Sequence, residues 1–191
     1  MLTALLAALV SAPVAAHSGT GLKGGLESGF LHPLQGFDHL LAMVCVGVWG
    51  AFLGPPLIYA LPVVFPAFMV VGAVLGMFAV PLPSTEIGVA MSVVALGACI
   101  ALSVRAPLWL AVVMVALFAV FHGYAHGNEL PSAADPIGYS VGFVFATGLL
   151  HVAGICIGFL NERPGGKVVT RGLGAVIGVA GLLFLFRAIV P

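Results

Sequence analysis

The chain reads as an all-α protein, a polytopic bundle of membrane helices, and three observations predict it. Of 191 residues, 62% are hydrophobic and 6% charged, too few polar side chains to cover a soluble globule. Apolar runs recur at close to the roughly 20 residues that a bilayer demands of a helix. The separators between them are short and rich in Pro and Gly, the residues that punctuate helices. A formal net charge of zero excludes the basic footprint of a nucleic-acid-binding protein.

In order, residues 1 to 16, MLTALLAALVSAPVAA, are a short apolar run ending in the small-residue spacing of a secretory cleavage site, Val14-Ala15-Ala16. A cleavable signal peptide is expected there, which leaves His17 as the new amino terminus of a single domain, 17 to 191. Six spans follow, at about 31 to 53, 57 to 79, 86 to 104, 107 to 127, 137 to 160 and 168 to 189. Gly54-Pro55-Pro56, the Pro81 to Thr85 stretch, Arg105-Ala106-Pro107, Pro131 with Asp135-Pro136, and Asn161 to Lys167 separate them.

An exported leader sets residues 17 to 30 outside, and the spans then alternate. Arg105, Arg163, Lys167 and Arg171 fall at cytoplasmic loops, against Lys23 and Arg187 outside, which agrees with the positive-inside bias. Gly72/Gly76, Gly138/Gly142, Gly154/Gly158 and Gly174/Gly178 are GxxxG pairs. Such pairs let helices approach closely, within the bundle or between copies in a homo-oligomer. Cys45, Cys99 and Cys156 sit in apolar runs without CxxC spacing, so they read as packing residues rather than a disulfide or zinc framework.

Two polar clusters interrupt the apolar runs. HPLQGFDHLLAM, residues 32 to 43, carries His32, Asp38 and His39 into the first span. Ionisable groups in a membrane helix are costly and mark a function by default. Met43 follows His39 by four and adds a soft sulfur, though core packing explains it more simply. On a straight helix, Asp38 and His39 lie about 9 to 11 Å below His32, and the Pro33 to Gly36 turn offers a kink. FHGYAHGNEL, residues 121 to 130, ends the fourth span with His122, His126 and Glu129 at i, i+4 and i+7, one helical face. Pro131 disfavours helix at Leu130 and so stops the segment just after Glu129.

The alternation brings the start of the first span and the end of the fourth to the same outer level. Glu86 begins the third span there as well, where a capping carboxylate is the competing explanation. His151 lies deeper in the fifth span, with hydrogen-bonded packing as its competing role. Imidazole nitrogens and carboxylate oxygens in this pattern suit a divalent metal such as nickel, cobalt or zinc.

HPLQGFDHLLAMVCVGVWG and FHGYAHGNE resemble the hallmark motifs of the HupE/UreJ family of nickel and cobalt permeases, found beside hydrogenase and urease systems in bacteria. The resemblance covers essentially the whole chain. It implies secondary uptake of Ni²⁺, or Co²⁺ in some members, across the bacterial inner membrane for metalloenzyme maturation. It implies metal-handling roles for His32, Asp38, His39, His122, His126 and Glu129, with Phe65 and Glu86 as further functional positions. Many members carry a histidine-rich stretch near the mature amino terminus, where this chain has His17 alone. The partners expected are the metal ion and the bilayer, with no permanently bound cofactor.

The rival reading is an enzyme, an intramembrane zinc hydrolase using three histidines and an aspartate. HGYAH has the ligand spacing of HExxH, but Gly123 occupies the position of the general-base Glu. A haem protein with two axial histidines is a third reading. No GxxxxGK[ST] loop is present to drive transport by ATP hydrolysis.

Overall fold

A computed structural model describes residues 25–129 and 135–190. The leader expected over 1 to 16, and His17, lie outside them. Among the described residues the chain is wholly helical: α1 Gly25–Gln35, α2 Phe37–Leu53, α3 Leu57–Met77, α4 Thr85–Ala101, α5 Leu108–Glu129, α6 Pro136–Gly158, a 3₁₀ turn Phe159–Glu162, and α7 Gly166–Ile189. The helices α3, α5, α6 (with the 3₁₀ turn that follows it) and α7 are long and apolar enough to cross a membrane.

The first and third predicted spans differ from expectation. In place of one helix from 31 to 53, α1 and α2 meet at an angle of 83° and only together pass as a span. Gly36 makes the break by taking an extended conformation (φ −91°, ψ 105°), while its carbonyl accepts the first α2 bond from Leu40 N–H at 2.9 Å. Glycine is a poor helix former, and Asp38 favours the positive end of the new helix. The third predicted span is a 17-residue helix, about 26 Å at 1.5 Å per residue. It stops at Ala101 because Ser103 turns to positive φ (56°) ahead of Pro107. At the start of α6 the punctuation acts as expected: Asp135 accepts a 2.9 Å bond from Gly138 N–H, with Pro136 at the first helical position. The helix α5 is described as far as Glu129, and the stop expected from Leu130 and Pro131 lies outside the described residues.

Close helix pairs build the bundle: α3 with α5, α4 with α7, and α6 with both α1 and α2. Glycine makes the approach possible. A Cβ on Gly47 of α2 would stand 2.1 Å from the His151 carbonyl oxygen, and one on Gly154 of α6 would stand 2.2 Å from that of Val44. Members of all four GxxxG pairs lie against neighbouring helices of the same chain. Trp49, Phe65, Met43, Leu61 and Leu96 fill the core. Val63, Val70 and Val74 on α3, and Val176, Leu182 and Phe186 on α7, face outward, as helices solvated by lipid do.

One end of the bundle is tied by polar contacts to backbone. Trp49 Nε1–H donates to the Val104 carbonyl at 3.1 Å. Arg171 Nε–H donates at 2.8 Å to the carbonyl of Ala101, the last residue of α4, a cation on a helix C-terminus. Arg105 lies 5.8 Å from the centre of the Phe52 ring. The three cysteines are free, with Cys45 in the core.

Gly47→Ala should lower stability by about 1–3 kcal/mol through overpacking. By contrast Gly148→Ala, whose Cβ meets nothing within 4 Å, should leave stability unchanged or raise it by up to about 1 kcal/mol through helix propensity. Thermal unfolding of the two variants in detergent separates these outcomes.

Candidate functional site

The interleaving of residues along α5 sets the site. Gly123 and Gly127 lie against α3, where Cβ atoms would stand 1.9 Å from the Met69 and 2.2 Å from the Ala73 carbonyl oxygens. His122 and His126 each precede one of these glycines, so they stand about 100° round the helix from the packing face. Both are buried, His122 completely. The same packing explains Gly123 in HGYAH. A glutamate there would drive its Cβ into the α3 backbone, so the general base of an HExxH hydrolase has no room.

The bend at Gly36 brings α1 and α2 to this face from two directions. The His32 ring, in the last turn of α1, meets the His126 ring edge-on at 4.7 Å between centres, beside Tyr139 at 5.7 Å and Phe143 at 6.0 Å. The His39 ring, in the first turn of α2, lies 4.6 Å from His126 and 4.7 Å from His122. The straight-helix ladder is therefore replaced by a shorter arrangement in which His32 and His39 touch the same ring. The succession runs His32, His126, His39, His122.

Asp38 adds the carboxylate. Its Oδ1 accepts a 2.9 Å contact from His39 Nδ1 and a 2.8 Å bond from the His39 backbone N–H. The Asp38 side chain is 37% exposed and that of His39 15%, so the pair sits at the rim while His122 lies inside. At the inner end, Ser92 of α4 contacts His122 Nε2 at 2.9 Å through its Oγ. Among the described residues, no three His, Cys, Asp or Glu groups are gathered to hold one metal ion. The cluster is a run of pairwise contacts rather than a closed cage.

Beyond His122 the succession continues through an aromatic ring. Phe65 of α3 is fully buried and lies 5.4 Å from His122 on one side and 5.4 Å from His151 on the other. His151 is itself fully buried on α6, one turn past the buried Thr147. A cavity between α3, α5 and α6, lined by Pro66, Met69, His126, Phe143 and Thr147, gives His126 an opening on the side away from α2.

Of the remaining expected residues, Glu86 and Met43 stand elsewhere. Glu129 is the last residue of α5, three beyond His126. Glu86 is exposed in the first turn of α4, six residues before Ser92 and so about 9 Å along the axis. Ser84, which precedes that helix, makes no side-chain cap. Met43 is buried in the apolar core and takes no part in the ring contacts. Ser92 escaped the sequence reading: a single serine in an apolar helix carries no signal until its partner is known.

These features define a class, a helical membrane protein whose interior holds a succession of imidazoles with a carboxylate at the rim. Comparison with known proteins gives the family. The family model described as HupE / UreJ protein matches residues 4–184, and Protein HupE of Rhizobium leguminosarum bv. viciae is 40% identical over 185 residues, 96% of each chain. No solved structure matches. The chain belongs to the HupE/UreJ family.

Phe65→Ala should lower stability by about 3–5 kcal/mol, the usual cost of emptying an aromatic site in a core. Val63→Ala, on the lipid face of the same helix with Val63 67% exposed, should stay within about 0.5 kcal/mol of the parent. Denaturant unfolding in detergent reads both.

Proposed function

We propose that this chain is a secondary permease that imports a divalent transition metal, nickel first and cobalt second, across the bacterial inner membrane to supply metalloenzyme maturation. The observation that carries this reading is the run of four imidazoles in ring contact, His32, His126, His39 and His122, inside an apolar bundle. Ionisable side chains gathered at membrane depth are expensive, and an N/O-binding divalent ion is the ligand that turns the expense into a function.

In this reading six spans cross the membrane, with α1 and α2 as one broken span and the short α4 as another, and the amino terminus faces outward. His32, His126 and Glu129 form the outer mouth. Asp38 and His39 take the ion next, the carboxylate offsetting part of its charge. His122 follows, and Phe65 stands between it and His151 on the inward route. Pairwise donors suit cargo, because a closed tetrahedral cage of three or four ligands would hold the metal permanently. The family membership and the relative's length-matched similarity support the reading.

Cells carrying the chain should accumulate radiolabelled nickel from submicromolar medium faster than cells without it, and a competition series with cobalt ranks the two ions. Accumulation equal to that of cells lacking the chain would sink the reading. Asp38→Asn and Glu129→Gln should each reduce accumulation to the background level while membrane abundance, read by immunoblot, stays at the parent level.

Protons compete with the metal for the same lone pairs, since metal binding requires deprotonated ligands. Protonation removes donors as pH falls, so uptake should decline as external pH drops. Initial rates between pH 5 and 8 at fixed membrane potential test the sign.

A further inference from the structure

We propose that Ser92 is a positioning residue that holds His122 in the Nε2–H tautomer, so that Nδ1 is the atom His122 offers to the ion, while Asp38 holds His39 in the opposite tautomer and leaves Nε2 as its donor. The identity of the ion rests on the transport reading above. The tautomers do not.

The assignment follows from counting protons. A serine hydroxyl has one proton and two lone pairs, and a carbonyl oxygen can only accept. Ser92 Oγ lies 2.6 Å from the Val89 carbonyl oxygen, which takes that proton. The oxygen then has lone pairs alone for its 2.9 Å contact with His122 Nε2, and Nε2 must be the donor. A neutral imidazole with hydrogen on Nε2 carries its free lone pair on Nδ1. His122 Nδ1 is buried and makes no hydrogen bond.

The reverse assignment is worse on both counts. If Ser92 donated to Nε2, the short bond to Val89 would be lost. Nδ1 would also become a buried N–H without an acceptor, which a cation cannot use.

His39 repeats the arrangement with the nitrogens exchanged. The Asp38 carboxylate only accepts, so His39 Nδ1 donates to Oδ1 at 2.9 Å. Its free lone pair is on Nε2, which is buried and without a hydrogen bond. The two rings lie 4.7 Å apart at 81°, so two fixed rings offer one unused nitrogen each. Fixing the other nitrogen with a hydrogen bond is how proteins orient metal-binding histidines. The partners differ in kind. A carboxylate raises the donor strength of His39, whereas a neutral hydroxyl leaves His122 the weaker donor, and an ion moving inward passes from the stronger to the weaker.

The test uses the full chain in detergent, labelled with ¹⁵N-histidine, and long-range proton–nitrogen correlation spectra. The parent should show a ring protonated on Nε2 and bare on Nδ1, a pattern that vanishes in His122→Gln. Ser92→Ala should replace that pattern with a tautomer average and weaken Ni²⁺ binding by about 10- to 100-fold, the usual effect of removing such a partner. Ser92→Thr, which keeps the hydroxyl, should restore both.

A parent His122 protonated on Nδ1 overturns the proposal, even if Ser92→Ala does not fold. Parent-like Ni²⁺ affinity in a folded Ser92→Ala overturns it too. Parent chain that shows the expected tautomer but binds no Ni²⁺ supports the role of Ser92 and removes the transport reading instead.

Discussion

The approach of α5 to α3 through Gly123 and Gly127 is the constraint on which the interior depends. Backbone this close leaves no volume for a side chain at either glycine, so the imidazoles of His122 and His126, one residue away, stand on another face. The alternation of His and Gly is therefore one device with two outputs. The glycines fix the distance to α3, and the histidines, one residue away, are turned into the bundle. Widening the contact by a single methyl group would rotate or lift His122 and His126 away from His39.

A second constraint acts on polar groups, which have no water to fall back on at membrane depth. The chain meets it by pairing across elements. Trp49 reaches the Val104 carbonyl, Arg171 closes the end of α4, and Thr170 donates to the Asn161 side chain at 2.5 Å. These contacts gather at the end of the bundle where α2, α4 and α6 finish, away from the imidazoles. One end is thereby tied by satisfied backbone groups, and the other keeps His39 Nε2 and His122 Nδ1 buried without a hydrogen bond.

Much of this was legible in the sequence because the signals were local. Asp135-Pro136 starts α6, and the i, i+4 spacing of His122 and His126 puts both on one buried face. The break in HPLQGFDH was visible as Pro33 and Gly36, but its angle was not. Periodicity gives a helix its faces and says nothing about the direction of the next helix. Hence the expected ladder from His32 to His39 became two rings on a common neighbour. The length of α4 was misjudged because Leu102 to Val104 are as apolar as the helix before them, while the positive φ at Ser103 leaves no trace in hydropathy. Ser92 was unreadable for a different reason, since its role exists only across the gap between α4 and α5.

The 83° bend between α1 and α2 has an electrical consequence. If α2 runs along the membrane normal, the bend lays α1 close to the membrane plane. The transmembrane field acts along the normal and does work on a charge only as it moves in that direction, about 2.3 kcal/mol per elementary charge per 100 mV. A charge displaced along α1 toward His32 gains almost none of this. On the proposed route, displacement along the normal falls to the stretch from His39 past His122 and Phe65. If the chain carries a cation as proposed, gathering it at the rim would be a matter of local attraction, and the membrane potential would begin to pull only once the ion had turned the corner at Gly36.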